Sequence, residues 1–328
     1  MYNVKPARWS YALLVVAAIA FGGIANSCRR PTAKPYTVGL VTWIGYGPIY
    51  IAQEKGFFRA NGIDVRVQTL DGPGAREAAY QAGELDFFPN TPDAFVIFFS
   101  DQPFKGKMIA ALDESEGADG VIAKAEVGNI RNLKGRRVGF QSGITSHFLL
   151  LYLLRRAGLT GKDITQIDLS ASDAGQAFIA GKLDAAVTWE PWLSEARKSP
   201  RATVLATSAD TPGLIVDIML ASDRVLSEGG RPAKSFMNAW KQGVAFIRNN
   251  PEEAAVIISK ALNVKPVEVT AMLRTTRFYT PRESTDYLSS KLPAICNDAA
   301  DLFFDNGVIR RKPDLRSMID VHVADGEQ

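Results

Sequence analysis

Ala79-Tyr80-Gln81-Ala82-Gly83-Glu84-Leu85-Asp86 and Ala177-Phe178-Ile179-Ala180-Gly181-Lys182-Leu183-Asp184 follow one pattern twice, about a hundred residues apart. Each reads as the last turn of a helix, a glycine C-cap and the start of a strand, because glycine enters the left-handed region without a Cβ penalty. A short apolar run follows each copy, Phe87-Phe88 or Ala185-Ala186-Val187, and then a polar loop with a proline: Pro89-Asn90-Thr91-Pro92-Asp93 or Thr188-Trp189-Glu190-Pro191-Trp192. A strand whose carboxyl end opens into a polar loop is how α/β lobes build ligand clefts. One copy would be an ordinary helix ending; two copies with the same sequel predict two lobes with facing loops.

The N-terminus sets the compartment. Lys5 and Arg8 precede Tyr11 to Ile24, a run apolar except for a glycine pair. It is short for a bilayer span and right for a signal-peptide core. The stretch Ile24-Ala25-Asn26-Ser27-Cys28 resembles a bacterial lipoprotein signal, which would remove residues 1–27, acylate Cys28 and leave 28–35 as a tether. Asn26 departs from the usual small residue, so ordinary cleavage and an uncleaved anchor are the alternatives. Each of them places the globular part outside the cytoplasm.

Composition narrows the classes. The net charge of +3 falls to about +1 without residues 1–27, which carry Lys5 and Arg8 and no acid. A nearly neutral chain has no electrostatic footprint for nucleic acid. About 300 mature residues drawn from a chain with 46% apolar content exceed one typical domain. The only cysteines are Cys28 and Cys296, so lipidation of Cys28 leaves Cys296 unpaired, in a helical pattern that reads as buried packing. Two histidines, His147 and His322, have no metal-ligand spacing, and no Gly-x-Ser-x-Gly elbow, P-loop or Rossmann glycine fingerprint occurs. No cofactor or metal is expected.

Along the chain, apolar and β-branched runs alternate with helical patterns. Strands are predicted at 36–42, 63–70, from Asp86, at 107–112, 121–124 and 133–140, at 164–169, 184–188 and 214–221; from Pro232 the pattern is helical. The predicted class is α/β, with two lobes and mostly parallel sheets. Lobe I is expected to use 35–120 plus 218–328 and lobe II 121–217. A two-segment hinge is expected near Gly117 to Val121 and Thr211 to Asp217, where Gly120 and Gly213 would absorb rotation.

The run Thr42-Trp43-Ile44-Gly45-Tyr46-Gly47-Pro48-Ile49-Tyr50-Ile51-Ala52-Gln53-Glu54-Lys55-Gly56-Phe57-Phe58 resembles the opening of periplasmic substrate-binding proteins of the nitrate, sulfonate and taurine ABC importer family. Gly62-Ile63-Asp64-Val65, Asn132-Leu133-Lys134-Gly135-Arg136-Arg137-Val138 and Thr188-Trp189-Glu190-Pro191-Trp192 carry the same resemblance. It implies the type II binding-protein fold, a ligand held between two lobes, and delivery to a membrane permease with a cytoplasmic ATPase. It does not fix the ligand, since members carry nitrate, alkanesulfonates, taurine, aromatic acids or aminopyrimidines. A monomer that is not an enzyme is expected.

The candidate ligand contacts are Trp43 and Tyr46 after the first strand, Asn90 and Thr91 after the first repeat, and Asp113. In the second lobe they are Ser142, Thr145 and Ser146, then Trp189, Glu190 and Trp192. With Gly143, the Ser142–Ser146 segment sits where a strand turns into a helix, so its N–H groups and the helix dipole suit an oxyanion. Plain N-capping is the competing reading. For Trp43 and Tyr46 the competing reading is core packing. Glu190 between two indoles reads as a cation site with cation–π support, or as a surface acid beside packed rings. The cleft-facing loops supply Asp93, Asp113, Glu116, Asp119, Glu190 and Asp210 but no Arg or Lys, which disfavours nitrate and favours a sulfonate of taurine type or another nitrogen-bearing zwitterion. An aminopyrimidine ligand and a ligand-sensing role are the alternatives. A pyrimidine synthase of the same fold is disfavoured because it needs a cysteine-rich motif and histidine and lysine chemistry.

Overall fold

The computed structural model describes residues 1–2, 34–71, 74–103, 105–190 and 192–323. All of the expected signal peptide but Met1 and Tyr2, and the lipidation of Cys28, therefore lie outside the described residues, as does nearly all of the 28–35 tether. From Pro35 onward the strands come in three groups along the chain. β1 (Tyr36–Leu40), β2 (Val65–Thr69), β3 (Phe87–Asn90) and β4 (Lys107–Ser115) open a first sheet. β5 (Asp119–Lys124), β6 (Arg137–Phe140), β7 (Thr165–Asp168), β8 (Ala185–Trp189) and β9 (Ala202–Thr207) make a second. β10 (Val216–Ala221) and β11 (Thr276–Phe278) return to the first, giving the orders β11-β4-β10-β3-β1-β2 and β7-β6-β8-β5-β9.

The two repeats frame both sheets through the same bonds. Gly83 and Gly181 take φ of 73° and 75°, the left-handed C-cap the sequence predicts. Asp86 Oδ2 then accepts the backbone N–H of Thr37 on β1 at 2.9 Å, and Asp184 Oδ2 accepts that of Arg137 on β6 at 3.0 Å. Each acid also holds a cation: Arg224 on Asp86 at 2.9 Å and Lys124 on Asp184 at 2.7 Å. The repeat leucines pack over glycines in the neighbouring strands. A Cβ at Gly39 would meet Leu85 Cδ1 at 2.4 Å, and one at Gly139 would meet Leu183 Cδ1 at the same distance.

The sheets are mixed in a particular way: β1–β4 run one way in the first and β6–β9 one way in the second, in line with mostly parallel sheets, while β10, β11 and β5 run against them. β1 pairs in parallel with β2 and β3, and β6 with β7 and β8. β10 runs antiparallel to β3 and β4, β11 to β4, and β5 to β8 and β9. The reason is topological. β5 and β10 are the strands by which the chain enters each sheet from the other, so both start at the edge where the parallel strands end. Gly120, expected in the hinge, lies inside β5 opposite Thr188 and Thr207. A Cβ there would come within 2.7 Å of Ala206 O, so its role is close packing. The crossings themselves are residues 116–118 and 208–215. The Ser208 hydroxyl bonds Ser115 Oγ and the Gly117 N–H, both at 2.8 Å.

The helix Leu292–Asp305 contacts both Pro92–Asp101, from the first sheet's side, and Thr145–Arg156, from the second's. Phe303 is fully buried beside Phe148 and His147, at ring separations of 5.9 and 5.8 Å. One continuous apolar core therefore joins Phe88, Phe95 and Phe99 to Phe140, Phe148 and Leu150.

Candidate ligand-binding site

β1, β3 and β4 all run the same way, so their carboxyl ends share one edge of the first sheet, where β10 begins. Trp43 follows β1 and donates its indole N–H to Asp113 Oδ1 at 2.9 Å. The bond needs a glycine beside it, because a Cβ at Gly45 would lie 1.9 Å from that same oxygen. Tyr46, in the 3-10 turn Ile44–Tyr46, donates its hydroxyl to Asp217 Oδ1 at 2.7 Å. Asp113 and Asp217 stand directly opposite in the β4–β10 register. Cross-strand partners of this kind share a face of the sheet with Cβ atoms about 5 Å apart, so two acids there repel.

Burial first, and that crowding second, set the electrostatics. Asp113 is fully buried, and burial together with the Asp217 charge pushes its pKa well above the ordinary carboxylate value. Burial lifts Asp217 to about 6, while the Tyr46 hydroxyl and Arg76 pull it back. Asp93, the second residue of the helix Pro92–Asp101, is raised to about 7 by burial, with a further push from Asp217. Among the described residues, Asp113 Oδ2 and both Asp93 oxygens meet no hydrogen-bond donor.

Arg76 brings a cation to this region from a helix, outside the loops expected to carry no Arg or Lys. It sits in the first turn of Ala75–Gln81, is 8% exposed, and donates to Pro89 O at 2.7 Å and to Asn90 Oδ1 at 3.4 Å. Asn90 also accepts the Thr91 N–H at 3.0 Å and donates to Glu77 at 3.3 Å. The Thr91 side chain then reaches out of the first sheet: its Oγ1 lies 3.1 Å from Thr145 Oγ1 at the start of the helix Thr145–Arg156. That contact brings the carboxyl edges of the two sheets together.

On the second sheet the loop after β6 is tied back on itself. Asp168 accepts the Ser142 N–H at 2.9 Å, and His147 Nδ1 accepts that of Gly143 at 3.2 Å. His147 can accept only while neutral, and burial depresses its pKa to about 4. Ser146 Oγ donates to Gln141 O at 3.1 Å and accepts the Gln141 N–H at 3.3 Å. The Ser142 amide and the Ser146 hydroxyl are thus spent on holding the loop, and Thr145 is the member of the set that faces the first sheet. The helix it begins has no side-chain cap, so its amino end stays open to an acceptor.

The largest departure from the sequence reading is the loop after β8. Glu190, expected to hold a ligand cation between two indoles, accepts the Ser194 N–H at 3.0 Å with one oxygen and Arg197 Nη1 at 3.0 Å with the other. It caps the helix Trp192–Arg197 and neutralises its last turn. Trp192 turns away and packs on the helix Ala171–Ile179, where a Cβ at Gly175 would come within 2.7 Å of it. Trp189, opposite Asp119 in the β5–β8 register, stays half-buried at the edge.

Sequence reasoning missed Asp217 and Arg76 as site residues. Asp217 had a signal: it is the lone acid in Leu214-Ile215-Val216-Asp217-Ile218-Met219-Leu220. Arg76 had none, because an arginine in the first turn of an exposed-looking helix is ordinary.

The "NMT1/THI5 like" family model matches residues 43–254. A "Putative aliphatic sulfonates-binding protein" of Escherichia coli (strain K12) is 29% identical over 199 residues, 61% of each chain, so the match spans under two thirds of that relative's length. A protein of the same name from Bacillus subtilis (strain 168) is 26% identical over 322 residues, 94% of each chain. The crystal structure of the periplasmic aliphatic sulphonate binding protein SsuA from Escherichia coli superposes with a TM-score of 0.73 at 20% identity, covering 87% of this chain and 97% of that one. The last likeness bears out the α/β periplasmic binding-protein fold that the family resemblance implies.

Proposed function

The chain belongs to the NMT1/THI5-like family, and from that membership we propose that it is the extracytoplasmic solute-binding component of an ABC importer. It would capture a small organic sulfonate or related nitrogen-bearing zwitterion and deliver it to a permease with a cytoplasmic ATPase. The observation that carries the reading is the meeting of two sheet edges at Thr91 and Thr145, with a buried Arg76 and an uncapped helix amino end on either side. That pairing offers an oxyanion a hydroxyl from each sheet and the positive end of a helix dipole. The names of the sulfonate-binding relatives support the same headgroup.

The ligand would favour closure because only the closed arrangement presents both edges to it. Trp43, Tyr46, Asn90, Thr91, Asp113 and Asp217 would form its wall on the first sheet, with Thr145 and Trp189 on the second. Ser142 and Ser146 would act by fixing the loop that aims Thr145. Acylation of Cys28 would hold a monomeric receptor on the outer face of the cell membrane.

The test is a thermal-shift and calorimetry panel on the mature chain with alkanesulfonates, taurine, nitrate, sulfate and an aminopyrimidine. A bound organic sulfonate at a hundredfold excess over its Kd should stabilise the protein by about 2.7 kcal/mol, a shift of several degrees in Tm. Binding of nitrate or an aminopyrimidine with no response to any sulfonate would overturn the reading.

A further inference from the structure

Resting on the solute-binding reading above, we propose that the floor of the cleft is a proton-linked cation receptor. In the free protein a proton is held by the Asp113–Asp217 pair, and a cationic nitrogen of the ligand takes its place. The exchange balances: the ligand brings one positive charge, both carboxylates become ionised around it, and one proton leaves to solvent.

The geometry carries this. Asp113 and Asp217 are cross-strand partners, 0% and 7% exposed, at the edge where β4 ends and β10 begins. The Trp43 indole donates to Asp113 and the Tyr46 hydroxyl to Asp217, both neutral donors, and the two carboxyl groups also lie within reach of each other. Two carboxylates this close and this dry cannot both stay charged on so little support. Asp113 Oδ2 is buried and meets no hydrogen-bond donor among the described residues, and a buried polar atom left unpaired is destabilising. An N⁺–H group set between the acids supplies that donor and the missing charge at once.

The groups around the pair point the same way. Arg76, from Ala75–Gln81, acts on Asp217 but spends its hydrogen bonds on Pro89 O and Asn90 Oδ1. Asp93 from Pro92–Asp101 and Asp119 from β5 add two more buried acids whose ionisation Asp217 opposes, both raised mainly by burial. The floor is therefore acid-rich, while the oxyanion contacts lie beside it at Thr91 and Thr145. A ligand with both charges fits the two ends; a simple alkanesulfonate leaves the floor protonated.

Calorimetry at pH 7 with taurine and with ethanesulfonate, each in phosphate and in Tris, separates the possibilities. The expected result is a taurine enthalpy that differs between buffers by the equivalent of about one released proton. Taurine should also bind at least tenfold more tightly than ethanesulfonate. Asp113→Asn should abolish the proton release and erase most of that preference, with Asp217→Asn as the second variant. If neither variant folds, the buffer dependence of the unaltered protein decides. Ethanesulfonate binding as tightly as taurine, with no proton exchanged, overturns the cation receptor and leaves the solute-binding reading standing. Failure of both compounds to bind overturns the cation receptor, and the solute-binding reading falls with it only if nitrate or an aminopyrimidine binds while every other sulfonate of the panel is silent.

Discussion

The loops that follow the two repeats start from the same frame and end with opposite jobs. Asp86 and Asp184 bind a backbone N–H of the neighbouring strand and a cation in the same way, and Leu85 and Leu183 cover equivalent glycines. Beyond that frame the copies diverge. After β3 the chain sends Thr91 across to Thr145, beside buried acids. After β8 it folds Glu190 back onto Ser194 and Arg197. The difference teaches that a repeat fixes the frame of its strands, whereas the use of each loop depends on partners a few residues downstream. Ser194 and Arg197 are available to Glu190 because a helix begins at Trp192; Asp93 begins a helix too, but is buried with no cation at hand.

The comparison can be broken first at the frame. Asp86→Ala should destabilise the protein by about 3 kcal/mol and Asp184→Ala by about 2, because each loses a charge-assisted bond to a strand N–H and an ion pair. Asp86 is the more costly since its side chain is 7% exposed against 19% for Asp184. Chemical denaturation measures both, and a null effect at either would mean that the repeats are not equivalent supports.

The acidic floor gives a pH test with a definite sign. Asp93, Asp113, Asp119 and Asp217 all have raised pKa values, with burial as the leading cause. The native state thus holds more protons than the unfolded chain between about pH 5 and 8, and stability falls as pH rises through that window. His147, lowered to about 4, works the other way below its unfolded value, but it is one group against four. The Tm of the ligand-free protein should therefore be several degrees higher at pH 5.5 than at pH 8. Asp217→Asn should flatten the slope. A Tm that climbs steadily with pH would show that these acids are charged and supported in the free protein.

A smaller effect belongs to Gly45. Gly45→Ala drives a Cβ into Asp113 Oδ1 and the Trp43 indole, so the Trp43–Asp113 bond must break. The cost should be about 1–3 kcal/mol, with a shift in indole fluorescence reporting the release of Trp43. Unchanged fluorescence would place that bond outside the folded state in solution.

Much of this was legible in the chain. The twin glycine caps, the strand at Tyr36–Leu40 and the long helices after Pro232 follow from local chemistry that tertiary contacts do not override. Trp43, Tyr46, Asn90, Thr91 and Asp113 also came together at one edge of the first sheet, with Thr145 meeting them from the second, because residues just past strand ends have few other places to be. What stayed hidden depends on pairing across the fold. Asp113 and Glu114 read as the start of a polar loop, yet β4 carries them inward because Trp43 and Arg277 meet them there. β9 and β11 escaped notice because an edge strand and a three-residue strand carry little pattern. Glu190 misled because its partner, Arg197, is one of many surface cations in the sequence, and its distance from Glu190 is set by a helix.

The two repeat loops can be separated in one experiment: the Kd for an organic sulfonate at pH 7, measured by calorimetry on Thr91→Val and on Glu190→Ala. Thr91→Val should weaken binding at least tenfold while changing ligand-free stability by no more than about 1 kcal/mol. Glu190→Ala should cost about 1 kcal/mol of stability through the lost cap and ion pair and leave the Kd within twofold. The opposite pattern, with binding lost in Glu190→Ala and intact in Thr91→Val, would contradict the placement of the cleft between Thr91 and Thr145.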